Sequence, residues 1–160
     1  MRPMRRQDHR MPPDEAEALL RRARVVRLGL ADDEGPYVVP LNFGFADGRI
    51  YVHGPREGRR LEAIARDPRV CFEVDECEIV PADEPCGYTA RFASVIGYGR
   101  ARLLATDEEK RAGLAVLMRH YGGPEDGFEQ AVLEKTAVVE IEIESMSGKR
   151  HDVPVREGGR

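Results

Sequence analysis

The sequence predicts one α+β domain, with about six mostly antiparallel strands in a closed or nearly closed barrel and about three or four helices around it. Three observations lead there. The chain has 160 residues, the length of a single domain. Its β-rich runs are joined by short turn signals of the hairpin kind, such as Asp47-Gly48. So many short strands in so small a chain would expose long edges unless the sheet curls back on itself.

The elements follow in order. Residues 1–12 are expected to be a flexible leader, 13–150 the folded domain, and 151–160 a disordered tail rich in glycine and charge. Asp14 with Glu17 can cap a first helix, Pro12 and Pro13 standing outside it, and Ala16, Leu19, Leu20 and Ala23 recur at helical spacing. "VVRLGLA" (25–31) alternates as a strand does. "PYVVPLNFGFADGRIYVH" (36–53) reads as two β-runs about Asp47-Gly48; Pro40 cannot donate a ladder hydrogen bond and belongs at an edge, a bulge or an opening. A short helix over 57–67 buries Leu61, Ile64 and Ala65 and stops at Asp67-Pro68. Strands are expected over 69–76 and 90–105, separated by a loop at 81–87, with Gly97 and Gly99 marking a bend or a close approach of other backbone. Thr106 and Glu109 form a capping box for a helix carrying Leu114, Leu117, Met118 and Tyr121. Gly122-Gly123-Pro124 breaks it, a shorter helical piece surrounds Phe128, Ala131 and Val132, and "TAVVEIEIESM" (136–146) is a half-buried strand.

Charge and composition exclude several classes. Net charge is −4 and the pI is near 5.7, so no basic field points to nucleic acid, and any anion site must be local. No apolar run approaches the roughly 20 residues that span a bilayer. The basic opening lacks the apolar centre of a secretory signal. Cys71, Cys77 and Cys86 have no CxxC spacing, which fits a reducing, cytoplasmic setting, and His9, His120 and His151 have no partners at metal-ligand spacing.

One segment stands out. In Gly54-Pro55-Arg56-Glu57-Gly58-Arg59-Arg60, arginines gather at the head of a helix, where the macrodipole disfavours cations by roughly 0.3–1 kcal/mol each. Two readings stay open: a solvated face partnered by Glu57 and Glu62, or an anion site made of guanidinium groups and helix N–H groups. In the second, Gly54 and Gly58 let backbone approach the ligand closely. His53 ends the preceding strand, either as a structural residue or as a ligand contact. Counting outward from the tight turn places Asn42 opposite His53, on one face of the hairpin.

The order of helix, hairpin, "HGPREGRRL", "DPRVCFEVD" and "RFASVIGYGRARLL" resembles the FMN-binding split-barrel family related to pyridoxamine 5′-phosphate oxidase. Within it, "GPYVVPLNFGFADGRIYVHG", "SVIGYGRA" and "LMRHY" are most similar to the Nim-type, nitroimidazole-resistance branch. The resemblance implies a homodimer of six-stranded split barrels with one FMN in each of two clefts at the interface. It places the cofactor phosphate at Arg56, Arg59 and Arg60, the flavin ring along Val39, Pro40, Leu41 and Asn42, Ser94 on a strand bordering the flavin, and His53 at the cleft. Glu57 stands where the oxidase has a lysine, and the oxidase's residues for its own substrate have no counterpart, so vitamin B6 chemistry is not expected. Relatives use deazaflavin or haem in the same cleft. The function implied is an FMN-dependent oxidoreductase that reduces small electron-poor substrates, nitroaromatics among them, with His53 orienting substrate or donating a proton. The alternatives are a haem-handling protein with His53 as axial ligand, and a non-catalytic flavin-binding module.

Overall fold

The computed structural model describes residues 5–152. In chain order the elements are β1 (Arg10–Met11), α1 (Pro13–Arg22), β2 (Val26–Asp32), β3 (Gly35–Leu41), β4 (Phe43–Ala46), β5 (Arg49–Pro55) and α2 (Arg59–Arg66). They continue with β6 (Arg69–Val80), β7 (Thr89–Leu103), α3 (Asp107–His120), α4 (Gln130–Lys135) and β8 (Thr136–His151). Single turns of 3-10 helix cover Gln7–His9 and Pro85–Gly87.

Asp47 and Gly48 take φ values of 51° and 71°, the left-handed geometry of a tight hairpin turn, and join β4 to β5 as their dipeptide predicts. Thr106 and Glu109 make both halves of the predicted capping box at α3. At α1 the cap differs. Pro13 is the first helical residue and Asp14 lies inside the helix, because a proline at that position has no N–H to satisfy and its φ is already helical.

The sheet has eight strands rather than six, in the order β3-β2-β6-β7-β8-β5-β4 with β1 added to β8, and every pairing is antiparallel. Two of the additions arise because the run 36–46 divides at Asn42 and because Arg10 and Met11 pair with Lys149 and Gly148. Successive strands β3 and β4 stand at opposite ends of the order with only Asn42 between them. The sheet therefore curls until its ends come together, yet β3 and β4 share no ladder among the described residues. The barrel is split, not closed. Pro40 pairs with Arg27 on β3, an edge strand, where its missing N–H faces no neighbour.

Phe43, Phe72, Leu28, Ile50 and Ile141 are fully buried inside this curl with Leu19 and Leu20 of α1. Burying each such side chain contributes roughly 1.5–3 kcal/mol. The aromatic ring of Phe72 occupies the space that a side chain at Gly97 would need, its Cζ only 2.1 Å from an added Cβ. A bulge follows at Tyr98/Gly99. A second, smaller core of Leu104, Leu114, Leu133 and Val138 lies outside the barrel beneath α3 and α4.

The expected boundaries shift. Met11 is only 5% exposed, so the folded part begins before residue 13, and β8 runs through Ser147 to His151 because β7 pairs with it over that whole length. The first four residues of the expected leader, and the tail beyond residue 152, lie outside the described residues. Among the described residues, no helix is long and apolar enough to cross a membrane.

Candidate functional site

The head of α2 gathers most of the predicted site. Gly58, at φ 118°, is the residue before the helix, and no side chain caps the first turn. Its free N–H groups and dipole favour an anion there. Three guanidinium groups surround this end, and each is engaged differently.

Arg59 is bound within the chain. Its Nε donates to Asp32 Oδ2 at 2.5 Å and its Nη2 to Asp32 Oδ1 at 3.0 Å, while Glu34 lies 3.2 Å from Nη1. The same guanidinium stacks over the Tyr37 ring at 4.6 Å. Arg56 donates from Nη1 to the Glu134 carbonyl at 3.0 Å, at the end of α4.

Arg60 differs from both. Its Nη1 donates to the His53 carbonyl at 3.2 Å, and its Nε is buried with no hydrogen-bond partner. Among the described residues no carboxylate pairs with it. A Cβ at Gly54 would come within 2.7 Å of Arg60 Nη2, so the glycine is what admits the guanidinium. Burial pushes the Arg60 pKa down, which marks a cation short of compensating charge. An unpaired, half-buried guanidinium with an orphaned donor is the residue an incoming anion would satisfy.

His53 is next to it. Desolvation, then the Arg60 charge, lowers its pKa from the ordinary histidine value, which favours the neutral imidazole. A neutral ring can donate one N–H to a ligand but is not the cationic acid that proton donation would prefer.

The other predicted residues divide. Val39 and Leu41 turn inward on β3, half-buried against the barrel core, whereas Pro40 and Asn42 are exposed. The pairing expected between Asn42 and His53 is not made. The β4–β5 ladder ends at Phe43/Val52, and His53 pairs with Val138 of β8. Asn42 instead donates from Nδ2 to Tyr121 Oη at 3.4 Å. That hydroxyl also accepts the Phe43 N–H at 3.1 Å and donates to the Arg24 carbonyl at 2.6 Å, holding the point where β3 passes into β4. Ser94 is not brought to the group. It pairs with Lys149, eleven positions beyond Val138 on β8. At about 3.3 Å per residue that is about 36 Å measured along β8 from the His53 register.

Sequence reasoning missed Asp32, Tyr37 and Tyr121. Only the charge-rich turn "DDEG" hinted at the first, since crowded arginines need counter-charge from somewhere. Another cleft, of about 500 Å³, lies elsewhere, between α1 and the ends of β6, β7 and β8. Its arginines Arg22 and Arg91 already pair with Glu76 at 2.9 Å and Glu78 at 2.7 Å, and Arg150 with Glu15, so it offers no comparable unmet charge.

A curled, unclosed antiparallel sheet with an arginine-headed helix after its fifth strand defines a split-barrel protein. The chain belongs to the pyridoxamine 5′-phosphate oxidase family, whose model matches residues 12–150. A structure from Bacteroides thetaiotaomicron, provisionally described as a 5-nitroimidazole antibiotic resistance protein, is 29% identical at a TM-score of 0.79, over 88% of this chain and 85% of that one. An FAD-binding protein from Mesorhizobium loti is 26% identical at a TM-score of 0.66, over 89% and 97%. The flavocytochrome Anf3 of Azotobacter vinelandii superposes at a TM-score of 0.83 over 95% and 73%; at 23% identity it shows the fold alone. No curated protein matches the chain.

Proposed function

We propose that the chain binds flavin mononucleotide through its phosphate at Arg60 and serves as a flavin-dependent reductase of small electron-poor acceptors, nitroaromatics included. The observation that carries this reading is the unpaired Arg60 guanidinium with its buried, unsatisfied Nε at the uncapped head of α2. The likeness to a flavin-binding protein and to a nitroimidazole-resistance protein supports it. Arg60 would hold the phosphate with N–H groups of α2, Val39 and Leu41 would supply an apolar wall, and neutral His53 would orient the acceptor through one N–H. The flavin, when bound, supplies the hydride or electron chemistry.

The offset of Ser94 from His53 within one chain supports a homodimer, in which a second copy would bring its own β7 to the first copy's α2. The outer face of the sheet offers an apolar strip for this contact, with Val38 63% and Tyr98 46% exposed and Gly29 and Cys71 between them in register. A sedimentation mass near twice the 18.0 kDa chain is expected, and a strictly monomeric species would remove the second copy from the site. The three cysteines are free, in keeping with a reducing compartment.

The test of the cofactor is a visible spectrum after incubation with flavin mononucleotide and gel filtration, with the retained molecule identified by mass. Flavin absorbance at about one per chain is the expected result. Protein that elutes colourless overturns the reading. Retained FAD keeps the flavin and changes the cofactor's identity, and a Soret band replaces flavin with haem.

A further inference from the structure

Of the arginines at the head of α2, Arg59 alone has a carboxylate built for it. Asp32 ends β2 and meets the Arg59 fork with both oxygens, a bidentate geometry that ranks among the strong ion pairs. The Asp32 side chain is only 14% exposed, and its Oδ1 also accepts the Glu34 N–H at 2.9 Å, so the carboxylate is held in place by its own turn. The hydrogen bond from Arg59 lowers the Asp32 pKa from its ordinary carboxylate value, so it is charged at neutral pH.

The neighbouring cation, Arg60, follows Arg59 directly in the first turn of α2. Arg59 lies over the Tyr37 ring. Of these two guanidinium groups, one is neutralised by Asp32, and the other has no carboxylate partner among the described residues. An anion bound at Arg60 has a second guanidinium within side-chain reach, but its donors are already committed to Asp32 and Glu34.

We propose that Asp32 competes with the ligand's phosphate for Arg59, acting as a built-in counter-anion that weakens flavin mononucleotide binding and keeps the cofactor exchangeable. The inference rests on the reading of Arg60 as a phosphate site and adds to it a positioning residue that sets the site's affinity. Two effects act with the same sign. Removing the Asp32 charge frees Arg59 for a charge-assisted contact with phosphate, and it also removes a like charge close to the incoming anion.

Asp32→Asn tests this, because the amide oxygen can still accept the Glu34 N–H and hold the turn. Affinities for flavin mononucleotide and for riboflavin, which lacks the phosphate, are measured by quenching of flavin fluorescence. The expected result is an affinity for flavin mononucleotide raised roughly tenfold, which is about 1.4 kcal/mol, with slower dissociation and unchanged riboflavin binding. The gain should vanish when Arg59→Gln is added. Unchanged or weakened flavin mononucleotide binding in the folded variant overturns the proposal, since a merely structural Asp32 would act on both ligands alike or on neither. Should Asp32→Asn fail to fold, Glu34→Gln removes the exposed second carboxylate at Arg59 and should raise the affinity about twofold to threefold; no change there is equally decisive against competition. Wild-type protein that binds riboflavin and flavin mononucleotide with equal strength overturns the phosphate site itself, and this inference with it.

Discussion

Arg60→Glu lowers the affinity for flavin mononucleotide by at least about a hundredfold, near 2.7 kcal/mol, and leaves riboflavin binding within a factor of about two. The size follows from what surrounds the side chain. Arg59 meets two carboxylates, and Arg56 and Arg60 each donate to a backbone carbonyl, but of the three only Arg60 carries a buried nitrogen with no hydrogen-bond partner. A charge-assisted hydrogen bond is worth roughly 1.5–3 kcal/mol, and reversing the charge adds repulsion to the loss of the contact. The fold should tolerate the change. The buried Nε makes no hydrogen bond to lose, and the bond from Nη1 to the His53 carbonyl is a single partly exposed contact. Arg59→Glu is the informative contrast, since it places a carboxylate against Asp32 and should reduce stability more than Arg60→Glu does. Fluorescence titration with both flavins, alongside a denaturation curve, separates the outcomes. An affinity for flavin mononucleotide within about threefold of wild type would assign the phosphate elsewhere.

The parts of this arrangement that were legible in the sequence are those decided within a few residues. Asp47-Gly48 forces its turn because positive φ is a local property, and Thr106 with Glu109 satisfies the first turn of α3 from inside the same four residues. Pro40 signals its edge position because a missing N–H is a property of one residue. The arginines at the head of α2 were visible as an anomaly for the same reason. What remained hidden depends on partners far along the chain. Nothing near Asn42 announces that β3 ends there. The division is held by the Tyr121 hydroxyl, which takes the Phe43 N–H from 78 residues away. Asp32 neutralises Arg59 across 27 residues, so the sequence shows three equivalent arginines where the fold gives a carboxylate to one and a buried, unsatisfied nitrogen to another. Register has the same character. Asn42 and His53 count as opposite across the turn, yet His53 finds its partner in β8, because the barrel's curl carries β3 away just where that pair would form. Ser94 shows the limit most plainly: its strand was predicted, but its offset from His53 is set by eleven positions of β8 pairing.

Gly44→Ala destabilises the protein by about 3 kcal/mol, at the upper end of the usual range for overpacking. Gly44 sits in β4 opposite Tyr51, and α3 crosses directly over it. An added Cβ would lie 2.5 Å from Leu117 Cα, 2.6 Å from Leu117 N and 2.7 Å from the Val116 carbonyl carbon. All of these are helix backbone, so no rotamer change relieves the contact and the helix must move as a body. That movement pulls on everything its last turn holds. His120 packs against Phe43 at 4.5 Å between ring centroids and its Nε2 lies 2.7 Å from the Ala23 carbonyl, while Tyr121 ties Asn42, Phe43 and Arg24 together. These bonds are exposed or only partly buried, so losing them adds roughly 0.5–1.5 kcal/mol each to the backbone clash, which remains the main cost. Gly29→Ala provides the control, since its Cβ would meet only Cys71 atoms at 3.5 Å, an ordinary contact. In urea denaturation the Gly44 variant should lose its midpoint stability while the Gly29 variant stays within about 1 kcal/mol of wild type. The Gly44 variant should also bind flavin mononucleotide more weakly than its residual folded fraction explains, because the strand carrying Val39 and Leu41 ends at the Asn42 junction that α3 holds. Equal stability of the two variants would mean that α3 does not rest on β4 through this glycine, and that the junction takes its shape from β3 and β4 alone.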